Sequence, residues 1–316
     1  MKQIDFEHGK ITDNILRASI PMLVAEVLSL LYNIVDRIYI ARIPDVGTTA
    51  LGAVGLCFPI IAIILAFSNL FGSGGAPLFS IARGRKDAKE ASMIMNTSFF
   101  LVCVCALLLM AIGMIFAKPI LILFGSSESG LIYAYPYLMI YLLGTFPSMV
   151  STSMNPFINA QGYATTGMLS VAIGAVANLI LDPVFIFVFG LGIRGAAIGT
   201  LTARILEVIV LLVYLFRSAG KKLGLHFSNY FHVDPVLTKD YLKTTAPMLV
   251  TNGLWGVNTA LQTVILGHMT AAAIAANSVA STLYMLIKST AVGASSTASV
   301  MIGKAVGSGD IPLTKH

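Results

Sequence analysis

An acid within an apolar stretch is the first candidate for chemistry in this sequence. Asp182 lies in residues 178–189, where its neighbours are almost all apolar, and an acid placed there costs about 2.5–3.5 kcal/mol. Asn178 lies one helical turn earlier, so both side chains project from one face. Pro183 follows directly, and a proline inside a helix interrupts the backbone bond to the carbonyl of Leu179. These features predict a cation or proton site; the alternative is a structural acid paired with a base on another helix.

Two further oxygen-bearing side chains are predicted to lie near the depth of Asp182. At a rise of about 1.5 Å per residue, Asp36 lies roughly 7.5 Å and Asp182 roughly 10 Å from the same end of their spans. Thr200 lies roughly 7.5 Å into a span that enters from that end. Such oxygen ligands suit a hard cation, or a proton shared by two carboxylates. We therefore predict a coupling site for H+ or Na+ at Asp36, Asn178, Asp182 and Thr200, with no other metal.

A second set of polar residues is predicted to line a cavity: Glu26, Tyr32, Asn33, Asn155 and Asn159. Glu26 lies deep in the first span, where it is either a second proton carrier or a satisfied interior acid. Tyr32 lies one turn before Asp36, where it either donates a hydrogen bond to that acid or serves packing, the more common role of a tyrosine in a membrane span. The asparagines at 155 and 159 are predicted on a short segment between the fourth and fifth spans, where they line the cavity or cap helix ends.

Three charged residues inside the apolar spans need a separate interpretation. Arg204 and Glu207 are three residues apart, so they are predicted to pair along their own helix. Lys288 has no partner that the sequence identifies. We interpret the Arg204–Glu207 pair as structural and leave the role of Lys288 open.

Composition identifies the elements that must hold these side chains. Of 316 residues, 57% are hydrophobic and 11% are charged, whereas about a quarter of a soluble domain is charged. The mean hydropathy is +0.86. The sequence therefore indicates an all-α polytopic membrane protein, packed by helix contacts in lipid. Eight spans are long enough to cross a bilayer, at residues 15–41, 50–73, 91–117, 131–153, 163–189, 195–216, 241–267 and 271–300.

Lysine and arginine residues predict the orientation of these spans. They concentrate in both termini and in the loops after the second and sixth spans, whereas the opposite loops hold only Arg42, Lys118 and Arg194. By the positive-inside rule, the N-terminus is cytoplasmic. The net charge of +6 is thus interpreted as a topology signal, and no nucleic-acid partner is expected.

The chain also contains an internal repeat. Residues 20–24 match 246–250, and residues 84–87 match 307–310. Six spans separate the copies, so both copies insert with one orientation, as in a parallel repeat. We predict a six-helix N-lobe at 1–216, a cytoplasmic linker at 217–240, and the first two helices of a C-lobe at 241–316. A complete second copy would add four spans, so we expect a C-terminally truncated sequence.

Four motifs together resemble the MATE (multidrug and toxic compound extrusion) family: Asn178-Leu-Ile-Leu-Asp182-Pro183, Gly192-Ile-Arg-Gly195-Ala-Ala-Ile-Gly199-Thr200, Tyr32-Asn33-Ile-Val-Asp36 and Asn159-Ala-Gln161-Gly162. The resemblance implies twelve helices in two lobes, an inner-membrane location, and export of organic, typically cationic compounds in exchange for H+ or Na+. It also implies that Asp36, Asn178, Asp182 and Thr200 form an N-lobe cation site. Other members use an acid on the seventh helix, and residues 241–267 contain none.

We therefore expect a secondary antiporter and not an enzyme. The sequence lacks a P-loop, so no cofactor is expected beyond the coupling ion; the expected partners are a small-molecule substrate and membrane lipids, and the expected state is a monomer. One alternative is a lipid-linked sugar flippase of related architecture. Another is an intramembrane aspartyl protease, because Asp36 and Asp182 lie on two helices. That class has a Gly-x-Gly-Asp stretch at its catalytic acid, whereas Asp182 follows Leu-Ile-Leu.

Overall fold

The computed structural model describes residues 4, 11–126, 128–216, 235–267 and 271–309. The described part of the chain is built from helices and contains no β-strand. The helices are α1 (Ile11–Ala41), α2 (Gly47–Gly84), α3 (Ala88–Leu123), α4 (Glu128–Leu143), α5 (Thr145–Ala160), α6 (Ala164–Pro183), α7 (Ile193–Tyr214), α8 (Pro235–Gly267) and α9 (Ala271–Ser308). The all-helical architecture predicted from composition is confirmed.

Five helical stretches of the described chain are long and apolar enough to cross a membrane. They are α1, α2, α3, α6 with its continuation to Val188, and α7. At about 1.5 Å per residue, the 38 residues of α2 extend well beyond a hydrocarbon core of about 30 Å. Most of the predicted linker, residues 217–234, lies outside the described residues, and α8 already begins at Pro235.

The prediction of one continuous fourth span at 131–153 is wrong. The helix breaks at Gly144, because α4 ends at Leu143 and α5 begins at Thr145. Pro147 explains the break: it has no N–H to donate to the carbonyl four residues earlier, that of Leu143. As a consequence, Asn155 and Asn159 lie within helix α5 and not on a short connecting segment.

The helix break predicted at Pro183 appears as a change of helix type. α6 ends at Pro183 and continues as one π-helical turn, Val184–Val188. The N–H of Phe189 donates to the carbonyl of Val184 at 2.9 Å. Wider turns of this kind occur mostly as single insertions inside α-helices, frequently at functional sites. This one begins two residues after Asp182.

α2 and α1 make most of the contacts between α1–α7 and α8–α9, which we call the two halves of the chain. α2 packs on α8 and α9, and α1 packs on α9. Ser19 Oγ donates a hydrogen bond to Thr297 Oγ1 at 3.0 Å. A Cβ atom on Gly74 would lie only 2.8 Å from Thr245 Cγ2. We call these four residues, together with the close backbone contact of Gly84 with Gly307, the interlobe seal.

The contacts of the interlobe seal join equivalent positions of the two repeats. When the repeats are aligned, Ser19 corresponds to Thr245, and Gly74 corresponds to Thr297. The contacts Ser19–Thr297 and Thr245–Gly74 are therefore two copies of one contact. Gly84 and Gly307, which also correspond, meet each other. Reciprocal contacts of this kind arise from a two-fold axis between equivalent surfaces, as a parallel repeat requires.

Candidate functional site

The two acids predicted at one depth meet in the structure. The carboxyl groups of Asp36 on α1 and Asp182 on α6 lie within hydrogen-bonding reach of each other. Asp182 is fully buried. Asp36 Oδ1 and Asp182 Oδ2 are buried and have no hydrogen-bond donor among the described residues. Two adjacent carboxylates repel unless a proton or a cation lies between them, so this arrangement can hold either one.

An amide and a hydroxyl complete the group of oxygen ligands. Asn178, which is 2% exposed, donates from Nδ2 to Asp182 Oδ1 at 3.0 Å and to Thr200 Oγ1 at 3.4 Å. Its own Oδ1 is buried and has no donor in the described part of the chain. The structure thus brings together all four residues predicted for the coupling site, with three oxygen atoms left for a proton or cation.

Small residues allow α6 and α7 to approach closely enough for these contacts. A Cβ atom on Gly199 would overlap Asp182 Oδ1, and one on Gly195 would lie 2.6 Å from the backbone of Phe185. On the next turns, a Cβ atom on Gly174 would lie 3.0 Å from Glu207 Oε2. Glycine lets helix backbones pack tightly inside a membrane, so the repeated glycines of the motif place Thr200 beside Asn178.

A narrow cavity leads from this site toward Arg204. Asn178, Thr200, Tyr32, Arg204 and Glu207 contribute to its lining. The predicted pairing along α7 is confirmed, because Arg204 Nη1 donates to Glu207 Oε2 at 2.7 Å. A buried charge is tolerated when it is paired and hydrogen-bonded, which explains how α7 carries these two residues inside the bundle.

Of the two interpretations of Tyr32, the structure does not show the hydrogen bond to Asp36. The Tyr32 hydroxyl accepts a hydrogen bond from Arg204 Nη2 instead, and the Arg204 guanidinium lies 5.4 Å from the centre of the Tyr32 ring. Arg204 lies on another helix, α7, and it already faces Tyr32 across the cavity. Tyr32 therefore connects the cavity lining to the charged pair and not directly to the two acids.

The other residues predicted to line a cavity do not line the one between Asn178 and Arg204. Asn155 Nδ2 donates to the carbonyl of Gly167 at 3.0 Å, and Asn159 Nδ2 donates to Asn155 Oδ1 at 3.0 Å. These two asparagines therefore join α5 to α6. Asn33 is exposed and donates to the carbonyl of Ser29 on its own helix. Glu26 is also exposed and lies on the same helix.

Two residues close to the site were not found from the sequence. Tyr137 on α4 is 3% exposed and lies close enough to Asp36 and Asp182 for an electrostatic interaction. Ser151 on α5 donates from Oγ to Glu207 Oε1 at 2.5 Å. Polar residues within an apolar span were the available signal, but their partners are on helices distant in sequence. Spacing along one helix does not reveal such contacts.

Comparison with known proteins gives consistent matches. A family model described as MatE matches residues 21–184. The chain is 28% identical over 254 residues to the multidrug export protein MepA of Staphylococcus haemolyticus, covering 80% of this chain and 55% of that protein. It is 25% identical over 214 residues to MepA of Staphylococcus aureus strain MRSA252, covering 68% of this chain and 47% of that protein. The chain thus spans about half the length of the curated relatives it matches.

Solved structures share the fold. An outward-facing multidrug resistance MATE family transporter of the MOP superfamily superposes with a TM-score of 0.90 at 22% identity, covering 100% of this chain and 69% of that chain. A MOP superfamily transporter from Pyrococcus furiosus gives the same TM-score and identity. Likeness at this identity shows the architecture, a partial two-lobe helical bundle, and says nothing of substrate.

Proposed function

As the chain belongs to the MATE family of multidrug efflux transporters, we propose that it acts in secondary antiport, exporting an organic compound in exchange for H+ or Na+. The observation that carries this proposal is the contact of the Asp36 and Asp182 carboxyl groups. Both groups lie in a span of a multi-pass membrane protein, and each has a buried oxygen without a donor among the described residues. Ionisable groups in such positions usually mark ion pathways.

The chemistry follows from charge neutralisation. A proton shared by the two acids, or a Na+ bound by their oxygens with those of Asn178 and Thr200, removes the repulsion between α1 and α6. The ion drives a conformational change only if it binds one arrangement of these helices more tightly than the other. The two acids are therefore proposed to titrate as one coupled unit.

The proposal also specifies the substrate class, the cellular location and the membrane orientation. The substrate is an organic cation, the location is the inner membrane, and the N-terminus is cytoplasmic. The orientation is supported by the Lys and Arg distribution, and export by the names of the relatives. An aspartyl protease would also need two neighbouring acids, but Asn178 donates to Asp182 and Thr200 extends the set with another oxygen, which suits cation binding better.

The proposal predicts that Asp182→Asn abolishes coupled export of a cationic dye while the protein still reaches the membrane. The amide keeps the size of the side chain but can neither share a proton nor supply a charged oxygen. Dye efflux from cells that produce the protein is measured together with the membrane-inserted amount, and Asp36→Asn is expected to give the same loss.

Asp45→Asn is the matched control for the acid-to-amide change. Asp45 is exposed in the turn before α2, and its φ of 62° is a conformation that asparagine readily adopts. Its efflux is expected to equal that of the unmodified protein. Wild-type efflux by Asp182→Asn would remove the coupling role from the acid pair.

A further inference from the structure

Three residues beyond the interlobe seal lie at one depth. From the seal outward, Glu26 lies seven residues after Ser19, Trp255 ten residues after Thr245, and Lys288 nine residues before Thr297. At about 1.5 Å per residue, these separations correspond to roughly 10, 15 and 14 Å along α1, α8 and α9. The three side chains are therefore placed just outward of the point where the two halves of the chain close on each other.

All three side chains are at least partly exposed. Trp255 is 38% exposed, Glu26 is exposed, and Lys288 is half-buried. A carboxylate and an ammonium that faced lipid at this depth would be costly, and such groups almost always face a bundle interior or a water-filled cavity. We place them at the floor of the cleft between the two halves of the chain.

Lys288 is held by an aromatic face. Its Nζ lies 4.2 Å from the centre of the Trp255 ring, well within the range of a cation–π contact. The charge of Lys288 also acts on Glu26, which belongs to the other half of the chain. The ammonium therefore lies over an indole face and within electrostatic range of a carboxylate. An aromatic face is the feature that proteins use to bind organic ammonium ligands.

We propose that Trp255 and Glu26 form a binding subsite for an organic cation, and that the Lys288 ammonium occupies this subsite when no substrate is bound. The inference rests on the proposed export function and names a site for its substrate. An incoming cation displaces Lys288 from the Trp255 ring, and the released ammonium moves into the water of the cleft. Lys288 acts as a tethered competitor, so the apparent affinity for cations is the intrinsic affinity multiplied by the fraction of time that Lys288 leaves the subsite free.

The proposal and a purely structural Lys–Trp contact predict opposite effects of removing Lys288. If Lys288 competes, Lys288→Met should tighten binding of tetraphenylphosphonium by roughly three- to tenfold, the range expected for losing one cation–π competitor. If Lys288 only supports packing, the same change should leave binding unaltered or weaken it. Trp255→Leu removes the aromatic face and should weaken binding by a similar factor, and Trp255→Tyr should restore most of it.

The chain offers a direct readout, because Trp255 is its single tryptophan. We would titrate tetraphenylphosphonium into the full chain in lipid nanodiscs and follow indole fluorescence, using radiolabelled probe for the Trp255 variants. Triphenylphosphine oxide, which is similar in shape but uncharged, should be insensitive to Lys288→Met. Lys243→Met makes the same substitution at an exposed site near the start of α8 and should change nothing.

The outcomes separate this inference from the proposed function. Tighter cation binding by Lys288→Met, with an unchanged neutral probe and weaker binding by Trp255→Leu, supports the subsite. Unaltered or weaker cation binding by a folded Lys288→Met protein overturns it, and so does unaltered binding by Trp255→Leu. The binding results do not test the coupling role of the Asp36–Asp182 pair, which is tested by dye efflux. Conversely, normal dye efflux by Asp182→Asn would overturn the coupling role but would not change the interpretation of the binding titration.

Discussion

At the scale of single residues, Gly199 determines whether the acid pair can form. Its Cα faces Asp182 so closely that a Cβ atom would overlap Asp182 Oδ1 and lie 3.3 Å from the Asp182 Cα. The neighbouring backbone cannot yield as the end of a flexible side chain can. Gly199 therefore sets the distance between α6 and α7, and with it the contact of Asn178 with Thr200.

Gly199→Ala is expected to destabilise the protein by about 1–3 kcal/mol, the usual cost of forcing an extra methyl group into a packed interior. The displaced Asp182 carboxyl should also lose its contact with Asp36, so ion-dependent stabilisation should disappear. Thermal unfolding in detergent, with and without Na+ and at several pH values, measures both effects.

Gly52→Ala provides the control for this substitution. Nothing lies within 4 Å of a Cβ atom at Gly52, which lies within helix α2. There alanine should raise stability by up to about 1 kcal/mol through helix propensity. Equal unfolding midpoints for the two variants would show that the close approach at Gly199 is not needed.

Depth along a helix could be derived from the sequence, whereas side-chain partners could not. The rise per residue is fixed, so Asp36 and Asp182 could be placed at one level from span boundaries alone. The bond of Tyr32 to Arg204 and the position of Lys288 over Trp255 depend on how helices rotate and tilt against each other. Those angles are set by contacts such as that of Gly199 with Asp182, which a hydropathy profile cannot reveal.

At the scale of elements, one polar network joins α1, α7 and α5. Arg204 on α7 bonds Tyr32 on α1, and Glu207 on α7 accepts from Ser151 on α5. The side chains of Arg204 and Glu207 are 22% and 5% exposed. In a membrane, interhelical hydrogen bonds and packing replace the hydrophobic drive between helices. The network therefore fixes α7 against the two helices on either side of the cavity.

Removing one charge of the Arg204–Glu207 pair should destabilise the protein more than removing both charges. Glu207→Gln leaves the Arg204 charge without its counter-charge and should destabilise the protein by about 3–5 kcal/mol, whereas the double variant Arg204→Met/Glu207→Met should be nearly neutral. Denaturant unfolding of both proteins in detergent micelles measures the difference.

An exposed ion pair supplies the reference for that experiment. Arg17 and Asp13 are 2.9 Å apart, with side chains 61% and 53% exposed. Asp13→Asn should change stability by no more than about 1 kcal/mol, as is usual for surface pairs. A double variant as unstable as Glu207→Gln would contradict the charge explanation and would assign the loss to packing.

At the scale of the whole molecule, the interlobe seal holds the two halves of the chain together at one end. The described contacts between the two halves include Ser19–Thr297, Gly74–Thr245 and Gly84–Gly307, all near the ends of α1, α2, α8 and α9 that are predicted to be cytoplasmic. Alternating access about a central site requires such contacts to open and close as the repeats move against each other. The seal must therefore separate during each proposed transport cycle.

A disulfide across the seal should stop transport without unfolding the protein. The Ser19 and Thr297 side-chain oxygens are 3.0 Å apart, so cysteines at these positions can approach a sulfur–sulfur bond of about 2.05 Å with little backbone movement. Cys57, Cys103 and Cys105 are replaced by alanine first, because all three are free thiols. Oxidation of Ser19→Cys/Thr297→Cys should abolish dye efflux, and a reductant should restore it.

The repeat supplies an independent copy of this experiment. Gly74→Cys/Thr245→Cys places a second disulfide at the equivalent contact. A Gly74 Cβ would lie 3.0 Å from Thr245 Cβ, so the two helices must move apart by roughly 1 Å to reach the usual Cβ–Cβ distance of about 3.8 Å. Once formed, this disulfide should give the same block. Ser19→Cys alone should transport normally under oxidation. The cross-linked protein should still bind tetraphenylphosphonium at Trp255, because that residue lies roughly 15 Å outward of the seal. Continued efflux from a fully cross-linked protein would mean that the two halves exchange access without separating at this end.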